Sequence, residues 1–346
     1  MRRIILCFSI FAAVMPLMAS AQKTVDIVTP GTLGTLISAD EKYTIEELTV
    51  TGSLNGDDLA LLRDMAGNNS LGEITDGQLK KLDLSGATIV DGGRYLDTNI
   101  INYQKDSGSA IGSFHLDAVA GTMPDWCFYG CNSLLQVSLP ETTTAIGKSA
   151  FMDMRLTSVT VPDGVMYIGE RAFYHSIYLK AFNMPASTRR IGHNAFAYSD
   201  ELTEIDIPYN VREISKNAFR KCTALTKVTS HMATPCDISE KTFESVAAQA
   251  TLYVPKGTKE AYEAADYWKD FATIEETDED PRPRDYDSGD ANGDDEINVA
   301  DIVEIVNYIA EKPSASFIFA AADVNNDEAV DATDVEIIAN SIMEKK

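Results

Sequence analysis

Along the middle of the chain, short apolar runs alternate with polar ones on a fixed period. Phe128, Phe151, Phe173, Phe196, Phe219 and Phe243 follow one another at 23, 22, 23, 23 and 24 residues. The residue before each is small: Cys127, Ala150, Ala172, Ala195, Ala218, Thr242. A second register follows each ring: LLQVSLP (134–140), LTSVTVP (156–162), LKAFNMP (179–185), LTEIDIP (202–208) and LTKVTSH (225–231). Within it Val137/Leu139, Val159/Val161, Phe182/Met184 and Ile205/Ile207 alternate with polar residues, the pattern of a half-buried strand. Proline then ends the strand in the first four. A third register, Ile146-Gly147, Ile168-Gly169, Ile191-Gly192, Ile214-Ser215, completes the unit. One such unit cannot bury its own apolar side, but stacked units cover one another. The pattern therefore predicts a solenoid of parallel strands about 4.8 Å apart around an internal column of phenylalanines. Ser138, Thr160, Asn183, Asp206 and Thr229 would form its outward ladder.

The flanks are less regular. IEELTVTG (45–52) and LKKLDLSG (79–86) read as divergent repeat strands. NGDDLALLRDMAG (55–67) reads as a helix starting near Asp57 or Asp58. Residues 93–122, rich in Gly, Ser, Asp and Asn, read as a loop insertion. After the repeats, residues 251–275 predict a strand and a short amphipathic helix that close the stack. DEDPRPRDYDSG then makes a stiff, solvated linker. The resulting division is 1–21 leader, 22–122 cap and irregular turns, 123–277 repeats with a closing cap, 278–287 linker and 288–346 a separate C-terminal unit.

That last unit contains a duplicated loop. Residues 290–301 read DANGDDEINVAD and residues 323–334 read DVNNDEAVDATD. Acidic or amide oxygens fall at positions 1, 3, 5, 9 and 12: Asp290, Asn292, Asp294, Asn298, Asp301, then Asp323, Asn325, Asp327, Asp331, Asp334. With a backbone carbonyl at position 7, from Glu296 and Ala329, this spacing wraps a hard cation such as calcium. Helix-period apolar residues follow each loop: Ile302, Ile305, Val306, Ile309, then Val335, Ile338, Ile342.

Composition narrows the function classes. The formal net charge of −24 argues against nucleic acid and anionic membrane as partners. Arg2 and Arg3, an apolar run to Met18 and Ala19-Ser20-Ala21 read as an export signal too short to span a membrane. Cys127, Cys131, Cys222 and Cys236 lack zinc-site spacing and read as buried thiols. Cys131 and Cys222 share one slot four repeats apart, roughly 19 Å along the stack, beyond disulfide reach. Spacing leaves a Cys222–Cys236 pair open. The four histidines form no recognisable nucleophile or metal arrangement, and no phosphate loop or hydrolase signature occurs. No enzymatic activity is expected. Tyr167, Arg189, Arg190, Tyr209 and Arg212, beside the Ile-Gly corners, are the expected partner-binding cluster of the repeats.

The unit IG-x-x-AF-x-x-C-x-x-L-x-x-V-x-LP, seen in IGERAFYHSIYLKAFNMP (168–185) and IGHNAFAYSDELTEIDIP (191–208), resembles the BspA-type leucine-rich repeat of bacterial surface proteins. The tandem loops, over about 288–346, resemble a type I dockerin. Together they imply an α/β-type leucine-rich repeat solenoid of short parallel strands and few helices. A small all-α dockerin-like domain with two EF-hand-like calcium loops follows it. They also imply a secreted or cell-surface protein that binds a protein, host-matrix or glycan ligand through the repeats and a cohesin-like or other surface protein through the tail. The alternatives are a non-catalytic component of a polysaccharide-degrading assembly, and a tail that packs on its own chain. Two departures stand out. The usual glycine at position 6 is Asp295 in one loop and Glu328 in the other, which predicts a weaker second site, since aspartate tolerates positive φ better than glutamate. Positions 10 and 11, which read the partner in this family and often carry hydroxyls, are Val299-Ala300 and Ala332-Thr333, a more apolar docking surface.

Overall fold

The computed structural model describes residues 21–99, 113–281, 287–294, 296–310, 312, 317–325 and 329–344. The export signal through Ser20, residues 282–286 of the linker, Asp295, Asp327 and Glu328 lie outside the described residues. The chain divides after Pro281 into two compact units.

The first unit is a stack of turns joined by parallel strands. One sheet runs in the order Gln22–Ile27, Glu47–Leu54, Lys81–Asp83, Gln136–Ser138, Ser158–Thr160. A second consists of two-residue strands at the Ile-Gly corners: Thr122–Met123, Ala145–Ile146, Tyr167–Ile168, Arg190–Ile191, Glu213–Ile214. A third joins Glu204–Ile207, Lys227–Ser230, Thr251–Val254 and Thr273–Glu276. Between them the phenylalanines stack face on face. Successive centroids are 5.9, 5.3, 5.3, 5.4 and 5.2 Å apart from Phe128 to Phe243. Trp268 and Phe271 close the column against Phe243, at 5.5 and 5.1 Å.

The turn around each phenylalanine has a backbone signature of its own. The residue two before it and the residue two after it are left-handed in most repeats: Ser149, Arg171, Asn194 and Asn217 before, Asp153, His175, Tyr198 and Lys221 after. The N–H groups at these two positions and at the phenylalanine itself donate to the next turn. Arg171, Phe173 and His175 donate to the carbonyls of His193, Ala195 and Ala197, at 2.9, 2.8 and 2.9 Å. Asn194, Phe196 and Tyr198 donate likewise to Lys216, Ala218 and Arg220. Phenylalanine is thus held by a backbone ladder as well as by burial.

The first turn has no full repeat beneath it, and side chains replace the missing donors. Tyr95 Oη donates to Asp125 O at 2.6 Å. Arg63 Nη1 donates to Cys127 O at 2.7 Å, and its Nη2 lies 3.5 Å from Tyr129 O. These are the three carbonyls that match the acceptors of later turns. Arg63, fully buried on the helix Gly56–Met65, therefore caps the ladder.

Several expectations change. LKAFNMP (179–185) forms no strand, so the first and third sheets are separate. Phe182, where other turns carry valine or isoleucine, wedges edge-on between Phe173 and Phe196, at 4.9 and 4.8 Å. Thr229 is buried, lying in register between Asp206 and Tyr253 on strands to either side. Residues 92–99 and 113–118 of the expected loop are two antiparallel arms. The helix is capped by Asn55, with Asp58 completing the capping box. Asp58 also accepts from Gly31 N and Leu33 N. Cys127, Cys131 and Cys222 are buried thiols; Cys222 Sγ donates to Phe196 O at 3.1 Å.

The second unit holds the helices Val299–Ile309, Phe319–Ala322 and Ala332–Glu344. Ala291, Ile305, Ala322, Val330 and Ile338 form its core. Of the apolar period after the first loop, Ile305 is buried and Ile302 packs at the edge. Val306 and Ile309 are about half exposed (50 and 47 %) rather than buried.

Candidate metal centre and binding surfaces

The first acidic loop ends in a helix whose cap organises it. Asn298 Oδ1 accepts from Ala300 N at 2.7 Å, and Asp301 Oδ2 accepts from Asn298 N at 2.8 Å. Asp301 Oδ1 reaches across the loop to accept from Asn292 N at 3.2 Å. Asp294 N donates to both Asp290 Oδ1 and Asn292 Oδ1 at 2.9 Å, and Glu296 N donates to Asp294 Oδ1. One carboxylate oxygen from each of Asp290, Asp294 and Asp301 lies within 4.8 Å of the others. Asp290 and Asp301 are fully buried; Asp294 is exposed. Burial, reinforced by the charges of Asp290 and Asp294, raises the Asp301 carboxyl above its usual range against the pull of its backbone hydrogen bonds.

Such a cluster of converging carboxylates is unfavourable by itself and is offset by a cation. Its donors are all oxygen, the set that suits calcium rather than a softer metal. The residues present therefore fit a calcium ion, with Asp290, Asp294 and Asp301 as carboxylate ligands, Asn292 and Asn298 beside them and the carbonyl of Glu296 in the loop.

The second loop repeats the design. Asp334 Oδ2 accepts from Asp331 N at 3.0 Å, and Asp331 accepts from Thr333 N at 2.7 Å. Asp334 Oδ1 accepts from Val324 N. The Thr333 N–H holds the Asp331 carboxyl below its usual range. Asp334 is fully buried and Asp323 nearly so, while Asn325 and Ala329 are exposed. The start of the first loop is tied through the backbone to the segment ahead of the second, Gly289 N to Ala321 O (2.7 Å) and Ile318 N to Ala291 O (2.9 Å).

Val299, Ala300, Ala332 and Thr333 are exposed at the starts of the two longer helices, Val299 at 63 %. Sequence reasoning stopped there, whereas the apolar line continues through Val303, Val306 and Ile309. Its signal was present in the three- and four-residue spacing, read only as a helix period. On the repeats, Tyr167 and Arg190 sit on neighbouring strands in register, with the guanidinium 5.9 Å from the ring centroid. Arg189 N donates to Met166 O and Arg212 N to Arg189 O, so these corners stack directly. Tyr167, Arg189, Arg190, Tyr209 and Arg212 are all half-buried.

Fold and loops together define a leucine-rich repeat solenoid joined to a small paired-loop helical module. Residues 121–260 match the BspA type leucine rich repeat region in six copies, and residues 288–343 match the dockerin type I domain. The chain thus combines BspA-type repeats with a type I dockerin. No curated protein matches it. A leucine-rich repeat protein of T. pallidum is 28% identical over 42% of this chain and 72% of its own, with a TM-score of 0.36. One from Eubacterium ventriosum is 19% identical over 59% of this chain and 34% of its own, TM-score 0.31, so this chain spans about a third of it. One from Bacteroides ovatus is 19% identical over 74% and 66%, TM-score 0.34. Dockerins bind calcium and imply a cohesin-type protein partner, and the repeats imply protein binding. Both families are typically non-catalytic and extracellular or surface-located. No helix among the described residues is long and apolar enough to cross a membrane.

Proposed function

We propose that the protein is an exported bacterial surface or secreted adhesin. Its repeats bind a protein or host-matrix ligand, and its dockerin module tethers them to a partner in a calcium-dependent way. The observation that carries this reading is the preformed Asp290–Asp294–Asp301 cluster beside exposed apolar helix starts. Calcium sits in both loops, held in the second by Asp323, Asn325, Asp327, Asp331 and Asp334 with the carbonyl of Ala329, more weakly than in the first. Val299, Ala300, Ala332 and Thr333 meet a cohesin-like or other surface protein. Tyr167, Arg189, Arg190, Tyr209 and Arg212 meet the ligand of the repeats. The dockerin favours a second reading, a non-catalytic component of a polysaccharide-degrading assembly.

Calorimetry tests the metal step. Two calcium ions bind the native protein, and Asp290→Ala and Asp323→Ala each lose one. Pull-downs with cohesin-bearing proteins, matrix proteins and insoluble polysaccharides, with and without calcium, separate the two readings. No calcium uptake by the native protein would overturn both.

A further inference from the structure

The side chains flanking the phenylalanine column make another surface, distinct from the Tyr167–Arg212 cluster. Its left-handed slots are strained for any side chain, at about 1 kcal/mol or more each. In the first turn the slot two after the phenylalanine is Gly130, which suits it. Later turns place Asp153, His175, Tyr198, Lys221 and Ser245 there, at φ of 53, 58, 64, 57 and 70°. A chain that needed only the turn is served better by glycine, and strained side chains persist where they act.

Around Tyr198 and Lys221 the side chains are aromatic and cationic. Tyr174 packs edge-on to Tyr198 at 5.4 Å. Arg220 and Lys221 lie 5.9 and 6.0 Å from the Tyr198 ring centroid. Beside them Arg220 Nε donates to Glu244 at 2.6 Å. Glu244 is held below the usual carboxylate range, first by that hydrogen bond and then by the charges of Arg220, Lys241 and Lys221. Three cations thus surround one carboxylate, on a chain whose net charge is −24. The salt bridges among the described residues give Lys221 and Lys241 no acidic partner within ion-pair distance.

We propose that this surface binds an acidic polysaccharide laid along the stack, its carboxylates or sulfates on Arg220, Lys221 and Lys241 and a pyranose face on Tyr198. Cations recognise the anionic groups, and an aromatic ring supplies an apolar platform with a fixed orientation. Spacing favours a glycan over an acidic peptide. Neighbouring turns here are 5.2–5.4 Å apart, judged by their stacked rings, close to one sugar ring per turn. An extended peptide advances about 3.3 Å per residue, so its like-facing side chains recur near 6.6 Å and fall out of step. The calcium loops play no part, so this reading and the docking reading fail independently.

The test uses the full-length protein with calcium present, in affinity electrophoresis through hyaluronan, dextran sulfate, neutral dextran and poly-glutamate. Retardation is expected in hyaluronan, dextran sulfate or both, weakening as salt rises, and none in neutral dextran. Hyaluronan alone assigns a carboxylate ligand; dextran sulfate alone assigns a sulfate. The double variant Lys221→Gln, Lys241→Gln, both at solvent-accessible positions, binds at least tenfold more weakly with an unchanged melting temperature. Tyr198→Leu, checked by the same melt, weakens glycan binding and leaves poly-glutamate unaffected. No retardation by either anionic glycan overturns the proposal, as does equal retardation of the double variant. Poly-glutamate binding as tight as glycan binding overturns it in favour of an acidic peptide.

Discussion

At the residue scale, the repeat is governed by positions where backbone geometry leaves little choice. Gly169 and Gly192 form a column at the corners: a Cβ on Gly192 would lie 2.6 Å from the carbonyl carbon of Gly169, and one on Gly169 2.7 Å from that of Gly147. Gly192→Ala should therefore cost about 1–3 kcal/mol, the range for overpacking, read as a lower urea midpoint. Ser245 is the opposite case, exposed and left-handed with φ of 70°. Ser245→Gly should be neutral or stabilising by up to about 1 kcal/mol, since relief of strain competes with the greater freedom glycine has when unfolded; a clear loss of stability would show that the side chain has a structural role. The cysteines follow from burial. The Cys131 and Cys222 thiols are pushed up to about 11 and about 12, and Cys127 is raised further, each chiefly by desolvation. Thiolate is the reactive form, so iodoacetamide at pH 8 should leave these three unlabelled in the native protein and label them in urea, as read by mass spectrometry.

At the scale of elements, the sequence announces what recurs and hides what acts at a distance. The phenylalanine period was legible because one ring per turn must meet its neighbours, and the strands because alternation marks a buried face. The same alternation misled at 179–185, where Phe182 and Met184 satisfy the pattern but a ring has no room in the strand's place. The arms at 92–99 and 113–118 were illegible because glycine, serine and aspartate mark loops and edge strands alike. The ligand spacing of the calcium loops was legible, as a local sequence motif; the exposure of the apolar line past Val299 was not, because periodicity gives a helix a face without saying what covers it. The Arg63 cap left no sequence signal, since its partners are backbone carbonyls some sixty residues on. Its role is open to test. Arg63→Met would leave the buried carbonyls of Trp126 and Cys127 without these donors, at about 1–3 kcal/mol for each buried group. The loss should appear first as faster amide exchange in the turns nearest Phe128, with the turns near Phe219 still protected. Uniform loss across the stack would mean that Arg63 supports the whole fold rather than its end.

At the scale of the whole molecule, the two units differ in what stabilises them. The repeats share one core that runs from Val25 to Ile274 and is closed by fully buried Trp268. Among the described residues, the C-terminal unit has a core of five buried apolar residues, and three buried aspartates in addition to Asp323. So small a core seldom suffices for a domain of this size, and a bound metal commonly makes up the difference. If calcium fills the loops, its binding free energy is also folding free energy for this unit, about 2.7 kcal/mol at a hundredfold excess over the dissociation constant. Removing it leaves Asp290, Asp294 and Asp301 facing one another with no counter-charge. Chelator should therefore accelerate amide exchange through 299–309 and 332–344, while the spine amides of Phe151, Phe173 and Phe196 keep their protection. The contrast within one sample separates loss of the metal from general destabilisation. Equal protection of the two helices with and without chelator would mean that the aspartate cluster is tolerated unaided, and that calcium is not what holds this unit folded.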